Sequence, residues 1–306
     1  MHSDSSPARR SVVAPDLAAA VEGIQDGMTV ALGGFTTSCR PAALVRALVR
    51  RGVRNLTVLG GAAAGLDVDL LIGAGCVKRV IAPYVGAEGY CTIGPFFRHA
   101  AELGTVEVWE CDEGIYYAGL QAAAAQLPFA PWRSGVGTSL PELNPDLRPF
   151  RDPVRGELLL AVPALRPDVA LLHAARADAY GNVQHAGHSF GDRAAYRAAT
   201  RTVVQVDRVV SNEQLRHMPE ATSLAGVDVV VRVPYGAHPF ASPGNYLEDP
   251  AEIGAYVVAA RAATLDHDYG PFEGWLRDRV FEPVDQPAYL ERIGLRQLLA
   301  LDEEGA

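Results

Sequence analysis

Basic residues are in the minority: 27 lysines and arginines stand against 36 acidic residues, for a formal net charge of -9. Nucleic acid needs a basic surface, so it is excluded as a partner class. Cysteine is scarce, with four residues at positions 39, 76, 91 and 111. None forms a C-x-x-C pair, so neither a zinc knuckle nor a disulfide framework is suggested, and no metal is expected. Free thiols in a large chain fit a reducing compartment, so a cytoplasmic location is expected. No apolar run approaches the ~20 residues of a membrane span, which leaves no membrane partner. The opening "MHSDSSPARRSVVAPD" lacks the apolar centre of a signal peptide. Residues 1–14 are expected to be a mobile tail. Nucleotide signatures are missing too: "GGFTTSCRP" (33–41) and "GGAAAG" (60–65) match neither G-x-x-x-x-G-K-[ST] nor G-x-G-x-x-G.

What the chain does have is apolar content, 49% of 306 residues, enough for a sizeable core. Strand-like runs alternate with helix-like ones. "MTVAL" (28–32) precedes "PAALVRALVRRG" (41–52), with proline near the helix start and glycine at its end. "NLTVLGG", "VKRVIAPYV" and "VEVWECD" continue the strands, with helical segments at 65–75, 94–104 and 114–129 between and after them. "VRGELLLAVPAL", "VALLHAARA", "RTVVQVDRVV" and "VDVVVRVP" complete the series, and from residue 248 onward helical patterns dominate. Such alternation predicts an α/β fold with a mostly parallel sheet and helices on both faces. The α/β domain is placed at 15–262 and a helical C-terminal extension at 263–306. The Pro-rich segment 139–156 reads as a long loop.

Sites in such sheets lie at the carboxyl ends of strands. Gly33-Gly34 ends the first strong strand, in "VALGGFTTSCRP". Either the backbone turns sharply there or two N–H groups are presented to a ligand, as in an oxyanion hole. "GHSFG" (187–191) fits G-x-S-x-G with Ser189 as nucleophile, and Asp207 or Asp228 and His238 or His267 follow in chain order. The preceding "DAYGNVQHAG" reads as a turn, not the strand that such an elbow needs. His185, His188 and Asp192 could hold a metal, but glycines at 181, 187 and 191 argue for a loop of hydrogen-bonded histidines. Glu110, Asp112 and Glu113 close a strand before a helix, where a carboxylate either caps the helix or acts as a base. "PYGAHPF" (234–240) is a turn or an N–H-rich pocket edge.

Together these stretches resemble the A (alpha) subunits of family I coenzyme A-transferases. "DGMTVALGGFTTSCRP" (26–41) carries the signature, with Cys39 standing where the family has glycine. "LLIGAGCVKRVIAPYVGAEG" (70–89), "ECDEGIYYAGLQAAAAQLPFAP" (110–131), "HAARADAYGNVQ" (173–184) and "VPYGAHP" (233–239) extend the match to roughly residues 16–262. The glutaconate type is the nearest branch; CoA-dependent ring-opening hydrolases and a decarboxylase are its cousins. The resemblance implies a NagB/RpiA-like CoA-transferase fold. It also implies a heteromeric acyl-CoA:carboxylate CoA-transferase in which this chain is one half. The family's catalytic glutamate lies in a beta subunit, within Ser-Glu-Asn-Gly. That motif is absent here, and "SNEQ" (211–214) does not match it. A beta-subunit partner is therefore expected, in a heterodimer or heterotetramer. The CoA thioester enters as substrate beside an acceptor carboxylate, with no permanently bound cofactor. Gly33, Gly34, Phe35, Thr36, Cys39, Tyr84 and Glu88 would line the oxyanion and acyl pocket. In the hydrolase branch Glu113 would match the catalytic glutamate, and the chain would then act on a dicarboxylic acyl-CoA as hydrolase or decarboxylase.

Overall fold

The computed structural model describes residues 11–302. Among the described residues thirteen strands form two sheets: β1 Val13–Ala14, β2 Thr29–Leu32, β3 Leu56–Leu59, β4 Val77–Ile81, β5 Glu107–Trp109, β6 Phe129–Trp132, β7 Arg148–Arg151, β8 Leu158–Pro163, β9 Val169–Ala177, β10 Val183–Gln184, β11 Arg201–Val209, β12 Thr222–Leu224 and β13 Val229–Arg232. The main sheet runs β1-β13-β11-β9-β2-β3-β4-β5, and every pair along that path is parallel. Strands β10 and β12 form an antiparallel appendage on the end of β9.

Alternate residues of the central strands feed two separate cores. Val30 and Leu32 of β2 and Leu171 of β9 belong to one apolar cluster. Ala31, Ala170 and Leu172 point the other way, into a second. A strand buried on both faces is mostly apolar; β9 is buried at eight of its nine positions, and its buried His173 is satisfied by Ser242 Oγ at 2.9 Å and Gln205 Nε2 at 3.0 Å. Helices Ala42–Arg51, Leu66–Gly73, Pro95–Leu103 and Pro250–Leu265 contribute to the first core, and Glu113–Ala124 and Asp192–Ala198 to the second. The expected helices on both faces are present.

The chain leaves β2 toward β3, β4 and β5, then returns to the other side of β2 as β9 before building out through β11 and β13. Connections thus diverge from neighbouring strands β2 and β9, which makes their carboxyl ends the topological switch point, where open α/β sheets form crevices. Gly33 and Gly34 lie there.

Four details differ from the sequence reading. Val13 and Ala14, placed in the expected tail, pair with Val230 and Val231; residues 1–10 lie outside the described residues. The expected loop 139–156 contains helix Leu140–Leu143 and β7, which joins β6 and β8 in a small antiparallel sheet. The helix placed at 114–129 stops at Ala124, and Phe129 opens β6. The helical C-terminal region is present, but its first helix, Pro250–Leu265, runs across the boundary placed at 262. No helix among the described residues is long and apolar enough to cross a membrane.

Candidate active site

Residues 33–39 form a hairpin at the end of β2. Phe35 and Ser38 exchange both backbone hydrogen bonds, at 2.9 and 2.8 Å, around Thr36 and Thr37. So tight a turn needs left-handed backbone, and Gly34 (φ 81°), Thr36 (φ 44°) and Cys39 (φ 54°) supply it. The tip is tied on two sides. Thr36 N–H donates to Ala63 O at 2.8 Å, and Ala241 N–H donates to Thr37 O at 2.8 Å.

The amides that the sequence reading assigns to a ligand are already engaged. Gly33 N–H extends the β2–β9 ladder to Leu171 O at 2.9 Å. Gly34 N–H donates to Asp192 Oδ1 at 2.8 Å. Phe35 and Thr36 donate to Ser38 O and Ala63 O. In residues 33–39 only Thr37 N–H has no acceptor among the described residues. The glycines answer a different steric demand: a Cβ on Gly33 would fall 2.6 Å from Asp192 Oδ1, and one on Gly34 would fall 2.5 Å from Ser38 O and Cys39 O. What approaches the glycines is this chain's own buried carboxylate and backbone.

Asp192 opens helix Asp192–Ala198 and is 0% exposed. Its other oxygen meets His185 Nε2 at 3.1 Å, and His185 Nδ1 lies 2.6 Å from Ser223 Oγ. Of the sequence group His185, His188 and Asp192, the structure joins the first and last, while His188 is exposed beside the Phe190 ring. Among the described residues no group of three or more His, Cys, Asp or Glu side chains is placed to hold a metal. Ser189 follows a loop rather than a strand, and His238 bonds Tyr289 and Asp249, so no nucleophile elbow forms.

Cys39 is buried beside Ser38 Oγ, 3.9 Å from its Sγ. Burial, reinforced by the Asp192 carboxylate, pushes its thiol up to about 12. Arg40, next in sequence, is 0% exposed and grips Asp67 at 2.8–2.9 Å while donating to Gly60 O at 3.1 Å. That pair locks the β2 exit to the β3 exit. The β3 and β4 exits are joined in turn by the Ala64–Val85 bridge. Tyr84 sits there, its phenol oxygen buried without a hydrogen-bond partner among the described residues. Burial, then the nearby Glu88, raises the Tyr84 phenol above its ordinary value. Glu88 itself is exposed.

Glu113 is the exposed first residue of helix Glu113–Ala124. It is not the cap. Asp112 takes that role, accepting from Ile115 N–H at 2.7 Å and from Ser134 Oγ at 2.9 Å. The helix abuts the hairpin region, because Tyr116 OH accepts Gly61 N–H at 3.2 Å and the Tyr117 ring packs on Gly191, next to Asp192. Phe190 stacks on Phe35 at 5.4 Å between ring centroids. The structure therefore gathers Gly33 through Cys39 with the exits of β3 and β4 and with the Glu113 helix. Asp192 is the member that motif reading does not place at the turn, and Thr37 lies in the motif but not among the pocket residues that the resemblance implies. The acidic residue that follows "GHSFG" at a helix start is the available signal for the first.

Residues 15–232 match the family described as Coenzyme A transferase. The chain belongs to that family. It is 33% identical to the A (alpha) subunit of glutaconate CoA-transferase from Acidaminococcus fermentans over 296 residues, which cover 91% of this chain and 90% of that one. It is 37% identical to the cholesterol ring-cleaving hydrolase IpdA subunit of Mycobacterium tuberculosis over 252 residues, 79% of this chain and 86% of that one. The crystal structure of glutaconate coenzyme A-transferase from Acidaminococcus fermentans superposes with a TM-score of 0.88 at 32% identity, covering 95% of this chain and 96% of that one. The fold expected from the sequence, a CoA-transferase sheet with C-terminal helices, is the fold found.

Proposed function

We propose that the chain is the A-type half of an acyl-CoA:carboxylate CoA-transferase of the glutaconate type. A B-type partner would supply the nucleophilic glutamate. The observation that carries this reading is the end-to-end likeness to the A (alpha) half of glutaconate CoA-transferase, in sequence and in fold. The likeness includes the C-terminal helices, which lie outside the family match at 15–232.

The chemistry of this chain's own residues agrees with the division of labour. Cys39 is buried and its thiol is held at about 12, so it offers almost no thiolate at neutral pH. Among the described residues no base is hydrogen-bonded to the Ser189 hydroxyl, and Ser189 follows a loop. In the proposed cycle the partner's glutamate attacks the acyl-CoA thioester carbonyl, the C–S bond breaks, and an acyl-glutamyl anhydride and CoA thiolate result. The thiolate then attacks the glutamyl carbonyl of the anhydride and expels the first carboxylate, leaving a glutamyl-CoA thioester. The acceptor carboxylate reverses both steps and departs as the new acyl-CoA. The hairpin at 33–39 supports this role as a fixed wall of the acyl site, with Phe35 and Phe190 as apolar surface and Thr37 N–H as the amide available to a developing oxyanion. Tyr84 and Glu88 would border the same pocket from the β4 exit.

The test is co-expression with a B-type chain, incubation with acyl-CoA and borohydride reduction. Peptide mass spectrometry should place the reduced thioester on the partner's glutamate. An adduct on Cys39 or Glu113 of this chain, or acceptor-dependent turnover by this chain alone, would overturn the assignment. A second reading, a CoA-dependent hydrolase, is favoured by one observation. Glu113 is exposed beside the site, and Asp112 relieves it of the capping duty.

A further inference from the structure

We infer that Asp192 is a positioning residue for the acyl-CoA reaction: it holds the Gly34 amide from behind and so fixes the hairpin wall, with His185 holding Asp192 in turn. The inference rests on the proposed function in placing that wall against substrate. It concerns a side chain that the substrate does not touch.

A buried carboxylate is costly unless it is paired and fully hydrogen-bonded. Asp192 is 0% exposed and accepts Gly34 N–H at 2.8 Å and His185 Nε2 at 3.1 Å. The remaining engaged amides of the hairpin, at positions 33, 35, 36, 38 and 39, donate to neutral carbonyls of Leu171, Ser38, Ala63, Phe35 and Ala241. Only Gly34 uses a charge, and a charged acceptor makes a bond roughly twice as strong as a neutral one. Gly33 keeps the carboxylate's path open, since any Cβ there would meet Asp192 Oδ1 at 2.6 Å. Behind Asp192 the line continues. His185 Nδ1 meets Ser223 Oγ at 2.6 Å, and Ser223 Oγ can donate to Val183 O at 3.2 Å. Both ring nitrogens of His185 are thus held, one by Ser223 and one by the Asp192 carboxylate, so the ring cannot turn away from Asp192. Four separated segments (β2, β10, β12 and helix Asp192–Ala198) thus converge on one amide. The titratable groups facing Asp192 are His185 behind it, Cys39 on the hairpin and Tyr117 on the Glu113 helix. A turn that needed only to be folded would be satisfied by a carbonyl. A charge set behind it fixes the amide's position against the load of a reacting thioester.

The experiment uses the full chain with its B-type partner and three variants: Asp192→Ala, Asp192→Asn and His185→Gln. Hydrogen exchange of peptides spanning 33–39 is read beside kcat and KM. Asp192→Ala should speed exchange there about tenfold or more and lower kcat by a similar factor, with KM within about threefold. Asp192→Asn keeps an acceptor oxygen for Gly34 and should restore most of the exchange protection and part of kcat. In His185→Gln the second oxygen of Asp192 loses the ring that holds it, so exchange at 33–39 should rise and kcat should fall, each by less than in Asp192→Ala. Should the alanine variant fail to fold, the other two decide. Unchanged exchange at 33–39, or kcat losses that vanish on correction for the folded fraction, would overturn the inference. A wild-type complex that hydrolyses acyl-CoA without transfer would refute the transferase reading instead. The clamp would then be judged on exchange rates and on that hydrolysis.

Discussion

The guanidinium of Arg46 lies 3.8 Å over the ring of Tyr289, and the phenol of Tyr289 reaches His238 Nδ1 at 2.8 Å. Arg46 comes from the helix after β2, His238 from the turn after β13, and Tyr289 from the C-terminal helices. Arg46 Nη1 also donates to His238 O at 2.9 Å, and His238 Nε2 meets Asp249, the cap of helix Pro250–Leu265. The C-terminal helices are thus keyed to the sheet by a buried polar stack, not by apolar contact alone. Tyr289→Phe keeps the ring under Arg46 but leaves His238 Nδ1 unpaired, which should cost about 1–3 kcal/mol. Tyr289→Ala also removes the ring and its cation–π contact and should cost about 3–5 kcal/mol. Denaturant melts of the two variants check the ordering; equal losses would mean that the ring contributes nothing.

The sheet was legible because its signal is local. Val30, Ala31 and Leu32 had to be apolar whichever way they faced, and a run buried on both sides reads as a parallel strand. The second sheet was less legible because proline hid it. Pro131 and Pro149 sit in β6 and β7, the edge strands of that sheet, where a missing N–H costs no ladder bond. The site was half legible. A glycine pair at a strand end announces a close approach, but not what approaches. The answer, Asp192, lies 158 residues from Gly34, and no periodicity reports a contact at that separation. Nor could adjacent acids be sorted by type alone: Asp112 caps and Glu113 does not, because only the shorter side chain sits at the extended residue before the helix.

Cys39 holds a left-handed backbone that favours glycine, at about 1 kcal/mol for a residue with a Cβ. Cys39→Ala keeps that strain and loses the buried sulfur contacts. Cys39→Gly loses more atoms but relieves the strain. The glycine variant is therefore expected to equal or exceed the alanine variant in stability, the reverse of the usual ranking of a buried site. Thermal melts of the two variants decide it. Alkylation at pH 8 provides a second check, since a buried thiol held at about 12 should react only after denaturation.

Asp69 makes stability depend on pH in an uncommon direction. It is 0% exposed, and burial raises its carboxyl to about 6, against the opposing pull of bonds from Phe97 N–H and Tyr256 OH at 2.7 Å. Between about pH 4 and 6 the folded state keeps a proton that the unfolded state, with an ordinary carboxyl near 3.9, has released. Folding therefore binds protons in that window, and this residue's contribution falls as pH rises through it, then levels off. Asp69→Asn keeps an acceptor for Phe97 N–H and removes the titration, while its amide N–H turns the Tyr256 hydroxyl from donor to acceptor. Relative to that variant, the wild type should lose on the order of 1–3 kcal/mol between pH 4 and 6.5. A difference that stays flat over that range would mean that Asp69 titrates normally despite its burial.

Glu113 separates the two enzymatic readings. Because Asp112 supplies the cap, Glu113→Gln gives up only an exposed charge at a helix N-terminus, about 0.3–1 kcal/mol of stability. The variant should fold and assemble, so its activity can be read directly. If the partner's glutamate carries the covalent chemistry, Glu113 only borders the pocket, and acceptor-dependent exchange should fall by about tenfold or less, ~1.4 kcal/mol of barrier. If the complex instead hydrolyses its acyl-CoA, an exposed carboxylate at the carboxyl end of β5 is the group placed to activate water. Its loss should then remove a general-base contribution of roughly 10²–10⁴-fold. The assay is acyl-CoA turnover by the mutant complex with and without an acceptor carboxylate. Retained, acceptor-dependent exchange supports transfer. A folded but inactive variant of a wild type that needs no acceptor would move the protein to the hydrolase branch, where the partner's glutamate would no longer be required to form a thioester.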